Sequence, residues 1–153
     1  MNSRVYTLRG DIQDFHNKVP LFRKMTKSKV EKEISKILMK NPHPNIVRIY
    51  DVTDDYVDME FLDTRTEIDT MTMIEAKTHL QKLGILYIDW KSDNIGTDSK
   101  GVFKLFDFDV SGTFNTVTGE WILEPSHFYA YNKAIKQGAK SPIDIDNYAF
   151  KSE

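Results

Sequence analysis

Hydrophobic and polar residues alternate with a strand-like period near the start of the chain and switch twice to helical spacing further on. Val5-Tyr6-Thr7-Leu8 reads as a short strand ended by Arg9-Gly10-Asp11. Residues 19–25 form a second extended segment, with Pro20 near its start, where a missing N–H is tolerated. Thr26 or Ser28 supplies an N-cap for a helix beginning near Lys29. In that helix Val30, Ile34, Ile37 and Leu38 recur at i, i+4, i+7 and i+8, a single apolar stripe. Asn41-Pro42-His43-Pro44 stops it, because two prolines cannot continue a helix. Residues 46–52 and 56–61 then read as two strands around the turn Thr53-Asp54-Asp55. A second helix is predicted over 72–83, with Met73, Ala76, Leu80 and Leu83 on one face and Gly84 in the position that ends it. Two short apolar runs, 85–87 and 102–106, flank a polar loop and read as a small hairpin-like pair, and 129–136 forms another helix. The order is that of an α+β chain, one domain over 1–153 with an N-terminal half at 1–61 and a C-terminal half at 62–153.

Composition removes several classes. Hydrophobic residues make up 40% and charged residues 29%, enough of the former to build a core. A net charge of −2 gives no reason to expect a nucleic-acid partner or a polybasic membrane patch. No apolar run is long enough to span a bilayer, and residues 1–8 are too polar for a secretory signal. With no cysteine there is neither a disulfide framework nor a thiolate metal site. The expected location is cytoplasmic.

The polar loop carries the chemistry. Asp89 and Asn94 lie five residues apart with Lys91 between them, and Asp107 follows Asn94 by thirteen residues at the end of an apolar run. Two carboxylates and a carboxamide brought together can hold a hard divalent cation through oxygen, as Mg²⁺ requires. A lysine beside them offers positive charge to a transferring phosphate. Singly, each is better explained as a solvated turn residue.

Jointly they form a pattern. Tyr87-Ile88-Asp89-Trp90-Lys91-Ser92-Asp93-Asn94 resembles the protein-kinase catalytic loop H-R-D-L-x-x-x-N, and Lys104-Leu105-Phe106-Asp107-Phe108-Asp109 resembles the strand entering D-F-G. Glu33-Ile34 and the segment from His43-Pro44-Asn45-Ile46 to Val52 look like the αC glutamate and the αC–β4 connection of that family. Met59-Glu60-Phe61-Leu62 resembles the gatekeeper and hinge, and Asp146-Asn147-Tyr148-Ala149-Phe150 the start of helix F, whose aspartate braces the catalytic loop. The resemblance implies a minimal bilobal kinase fold: a small antiparallel N-lobe sheet with the αC helix, and a mainly helical, truncated C-lobe. It implies ATP and Mg²⁺ as cofactors. Asp89 would be the catalytic base and Lys91 would stabilise the γ-phosphate, a lysine typical of serine/threonine kinases. Asn94 and Asp107 would hold Mg²⁺. Lys24 would reach the α- and β-phosphates and pair with Glu33, although Arg23 and Lys27 compete for that place. The backbone of Glu60 and Leu62 would bind the adenine edge beside Met59.

The pattern also breaks. Residues 5–24 contain one glycine, Gly10, where the family's phosphate-binding loop has three. Ile88 replaces the arginine that answers activation-loop phosphorylation, which implies a constitutive arrangement. Asp109 replaces the D-F-G glycine. The activation segment, 110–126, is short, and Leu123-Glu124-Pro125 is a distant echo of A-P-E. Ending at Glu153, the chain would leave Tyr148 and Phe150 exposed unless a partner covers the truncated C-lobe. The expected activity is a serine/threonine protein kinase, with a protein substrate or a partner kinase. A non-catalytic mimic that binds another kinase or its substrate is the alternative, and phosphorylation of a small molecule a weaker third. So reduced a chain resembles the kinases of large DNA viruses and bacterial effectors, which would act in the host cytoplasm.

Overall fold

Five antiparallel strands make the N-terminal layer, in the order β1-β2-β3-β5-β4. The computed structural model describes residues 4–6, 11–14, 19–64, 70–125 and 129–151. The strands are β1 (Arg4–Tyr6), β2 (Asp11–Asp14), β3 (Val19–Met25), β4 (Ile49–Val52) and β5 (Tyr56–Glu60). Strand β2 was not anticipated from the pattern. Leu8 and Gly10, at the end of the first expected strand and in its turn, lie outside the described residues. The β3–β5 register sets Phe22 against Met59 and Lys24 against Val57 on one face, and Arg23 against Asp58 on the other. Arg23 donates to both oxygens of the fully buried Asp58, at 2.8 and 3.0 Å. Removing one partner of such a buried pair costs about 3–5 kcal/mol, so this pair fixes which face of β3 carries Lys24.

Helix α1 (Lys29–Lys40) starts at Ser28, whose hydroxyl accepts from the Glu31 N–H at 3.2 Å, a cap of about 1 kcal/mol. Its buried side chains are Glu31, Ile34, Ser35 and Leu38, while Val30 and Ile37 are only partly covered. After α1, residues 45–47 run parallel to β9 (Phe103–Leu105). Val47 N–H donates to the Leu105 carbonyl and Leu105 N–H to the Asn45 carbonyl, both at 2.9 Å. The Asn45 side chain adds a bond to the Phe103 carbonyl. This seam joins the sheet to the rest of the chain.

Helix α2 (Thr70–Lys82) buries Met73, Ala76 and Leu80 and ends at Gly84, which has φ 79°. The two apolar runs that follow do not pair with each other. Strand β7 (Ile85–Leu86) pairs with β10 (Gly112–Phe114), which pairs in turn with β11 (Trp121–Leu123). Strand β9 pairs with β8 (Ile95–Thr97), and β8 with β6 (Asp63–Thr64). Left-handed backbone at Ile88 (φ 70°) and Asp107 (φ 66°) turns the chain just past each run. The segment expected to be an activation loop is largely the β10–β11 hairpin.

Helices α3 (Tyr129–Lys136) and α4 (Pro142–Lys151) pack on one another. Tyr148 and Phe150 do not stand exposed as expected. Both are half-buried, and Phe150 meets the Trp90 ring edge-on with centroids 5.0 Å apart. Apart from Leu21, the buried apolar residues form one connected cluster, from Ile34 on α1 through Met59 and Leu105 to Ala149 on α4. Among the described residues no helix is long and apolar enough to cross a membrane.

Candidate active site

Lys24 projects from β3 between two acids. Its Nζ lies 2.8 Å from Glu31 Oε2 and 3.3 Å from Asp107 Oδ1. Burial pulls its pKa down, but the hydrogen bond and charge of Glu31, joined by Asp107, outweigh that and hold it above the usual lysine value. The competing cations are engaged elsewhere: Arg23 with Asp58, and Lys27 with the exposed Asp55. The expected Lys24–Glu33 pair is not formed. Glu33 sits on the outer side of α1 beside Lys36, at 3.4 Å. Glu31 precedes Ile34 and Leu38 by three and seven residues, which puts it on the buried face of the helix, whereas Glu33 is turned away from it. That spacing was a readable signal, but a stripe drawn through apolar residues alone passes over a buried carboxylate.

The loop from 87 to 94 is held from several sides. Buried Asp146 on α4 accepts from Ile88 N–H at 2.9 Å and Trp90 Nε1–H at 2.7 Å on one oxygen, and from the Gln81 amide at 3.0 Å on the other. Tyr87 is fully buried, donates its hydroxyl to the Phe106 carbonyl, and faces the buried Phe108 ring edge-on. Ser111 Oγ donates to the Tyr87 carbonyl at 2.9 Å. A turn of 3-10 helix, Ser92–Asn94, brings Asn94 back to Asp89: its Nδ2 donates to Asp89 Oδ2 at 2.9 Å and to the Asp89 carbonyl at 3.0 Å. Lys91 Nζ is 3.7 Å from Asp89 Oδ2. Burial raises the Asp89 pKa against the opposing pull of Asn94 and Lys91, which makes its carboxylate more basic than an ordinary aspartate.

These two constellations meet at β9 and the turn that follows. Phe106 N–H donates to the Asn94 carbonyl at 2.9 Å, and Asp107 is the next residue. Above Asp107 opens a cleft of about 470 Å³, lined by Phe22, Lys24, Val47, Met59, the stretch 60–63, Phe106 and Asp107. Of the residues singled out in the sequence, Lys24, Met59, Glu60, Leu62 and Asp107 line this cleft. Asp89, Lys91 and Asn94 adjoin it through Phe106, and Glu33 is apart from it. Strand alternation, which puts Phe22 on the face of Lys24, accounts for Phe22 in this lining, whereas Val47 and Phe106 were not singled out as cleft residues. The glycine-poor loop around Gly10 lies outside the described residues.

The donor set near Asp107 is all oxygen. Asn94 commits its nitrogen to Asp89, which leaves its carboxamide oxygen as the ligating end, and Asp107 adds a carboxylate. Among the described residues no group of three or more acidic, histidine or cysteine side chains forms a protein cage for a metal. Two protein oxygens completed by phosphate oxygens and water is the way Mg²⁺ is commonly held, so the residues fit that ion.

No protein-family model matches the chain. Among curated proteins it is similar to Serine/threonine-protein kinase PSK1 of Saccharomyces cerevisiae, at 31% identity over 63% of this chain and 9% of that protein. Among solved structures it is similar to the yeast RNA Pol II CTD kinase CTDK-1 complex, with a TM-score of 0.58 and 17% identity, over 75% of this chain and 48% of that one. The chain thus spans under a tenth of the first and about half of the second. The fold of this chain is protein-kinase-like.

Proposed function

We propose that this chain is a serine/threonine protein kinase that transfers the γ-phosphoryl group of ATP to protein hydroxyls with Mg²⁺. On this reading 1–153 is one kinase-like domain, with 1–61 and 62–153 as its lobes. The observation that carries the proposal is Lys24, held between Glu31 and Asp107 at the edge of an apolar cleft, with Asn94 and, through it, Asp89 hydrogen-bonded to the cleft residue Phe106. The apolar walls of that cleft suit a purine, and the backbone at Glu60 and Leu62 supplies a polar edge for it. Lys24 would meet the α- and β-phosphates. Asn94 and Asp107 would hold Mg²⁺, which neutralises charge on the phosphate oxygens. Asp89 orients the substrate hydroxyl and takes its proton as the new oxygen–phosphorus bond forms and the bond to ADP breaks. Its raised pKa suits that task. Lys91 is near enough to Asp89 to steady the transferring group.

The second reading is a non-catalytic mimic that binds another kinase or its substrate. Asp109 favours it: an exposed carboxylate occupies the turn after Asp107, and its N–H is tied to Asp107 Oδ1 at 3.2 Å. Purified protein with Mg²⁺ and labelled ATP separates the two. The kinase reading expects label on the protein itself or on a generic basic protein, and at least a ~100-fold loss in Asp107→Ala. Equal labelling by that variant would sink it. Absence of transfer, with binding to a protein partner that survives Asp89→Ala without ATP, would establish the mimic.

A further inference from the structure

We propose that Lys104 is a positioning residue that locks the adenine-binding edge of the cleft to the strand carrying the metal-site aspartate. The inference rests on the nucleotide-binding reading above. Lys104 lies in the middle of β9, three residues before Asp107. Its Nζ is 2.7 Å from Glu60 Oε1 and 3.4 Å from Asp98 Oδ2, and all three side chains are 12–17% exposed. At that burial the attraction is screened far less than between surface charges.

Each acid is itself fixed. Glu60 Oε1 also accepts from the Arg48 N–H at 2.9 Å, while the Glu60 N–H donates to the Arg48 carbonyl at 3.0 Å. The start of the 60–62 segment is therefore held in both position and rotation. Asp98 Oδ1 accepts from the Lys100 and Val102 N–H groups, at 2.8 and 3.0 Å, so it closes the β8–β9 turn while its other oxygen meets Lys104. One ammonium thus ties the end of β5 to a strand whose continuation supplies Phe106 and Asp107 to the same cleft. A ligand touching only the purine edge uses one end of this tie. A ligand that also reaches Asp107 through a cation needs both ends at a set separation, which the tie provides in advance.

Calorimetric titration of the folded protein with adenosine and with ATP plus Mg²⁺ tests this. Wild type is expected to prefer ATP with Mg²⁺. Lys104→Met should cut that preference about tenfold while adenosine affinity stays within about twofold. Lys104→Arg should restore the preference, and Glu60→Gln should reproduce its loss. A merely structural role would lower the denaturation midpoint, measured in parallel, and leave the preference at the wild-type value. An unchanged preference in folded Lys104→Met overturns the proposal, or in Glu60→Gln if the first variant does not fold. So does a loss that arginine fails to restore. Wild type that binds neither ligand overturns the functional reading and this inference with it.

Discussion

Lys24 is held in its charged form by a carboxylate that has almost no water around it. Glu31 is 2% exposed, and its Oε2 points at the ammonium while Oε1 has no hydrogen-bond partner among the described residues. A buried carboxylate in that state is costly unless a cation stands beside it, so the pair is mutually dependent. Removing the charge of Glu31 should let burial dominate at Lys24 and drop its pKa. Glu31→Gln is therefore expected to make Lys24 several-fold more reactive in competitive acylation near neutral pH, read by peptide mass spectrometry. Glu33→Gln should leave Lys24 at the wild-type rate, because Glu33 faces Lys36 in solvent. Equal labelling in Glu31→Gln and wild type would remove the pair. Motif spacing singled out Lys24, Asp89, Asn94 and Asp107, which the fold gathers around β9 and the turn after it. It paired Lys24 with Glu33, whereas the carboxylate that meets Lys24 is Glu31, two positions earlier, because the helix face is decided by which side chain points inward.

Among the elements, the junction between α2 and β7 is tightly specified. Gly84 has φ 79°, and a Cβ there would come within 2.8 Å of the Phe114 carbonyl oxygen. That carbonyl belongs to β10, and the Phe114 N–H donates back to the Gly84 carbonyl at 2.9 Å. Gly101 has nearly the same backbone, φ 80°, with nothing within 4 Å. Gly101→Ala should therefore cost only the left-handed strain, about 1 kcal/mol, and Gly84→Ala roughly twice that or more because backbone must move. Urea midpoints of the two variants make the comparison, and similar losses would mean that the junction yields easily. The helices were legible in the sequence because their signals are local: Ser28 as cap, Pro42 and Pro44 as stop, Gly84 as end. Strand partners were not. An apolar run of two or three residues, such as Ile85–Leu86 or Phe103–Leu105, carries no mark of which distant edge it will meet.

Across the whole molecule, one buried carboxylate joins elements far apart in the chain. Asp146 on α4 binds Gln81 at the end of α2 and both Ile88 and Trp90 in the loop around Asp89. The resemblance in the sequence pointed to this brace. The Trp90 indole as a donor, the parallel seam of residues 45–47 with β9, and the tie through Lys104 were invisible there, because each depends on backbone brought together over dozens of residues. Burial raises the Asp146 pKa, and the hydrogen bonds from Gln81, Ile88 and Trp90 only partly offset it. The folded chain therefore holds a proton that the unfolded chain releases near pH ~4. Between that pH and the raised folded value, stability falls as pH rises. Asp146→Asn keeps an acceptor for Ile88 and Trp90, and the Gln81 amide can turn its oxygen to the new NH₂. The variant is expected to lose less stability than wild type as pH rises from about 4 to about 7, with other carboxylates contributing equally to both. Denaturant unfolding at several pH values measures the difference. Parallel stability curves would mean that Asp146 is ionised in the fold across the whole range, and that its hydrogen bonds to the loop around Asp89 outweigh its burial.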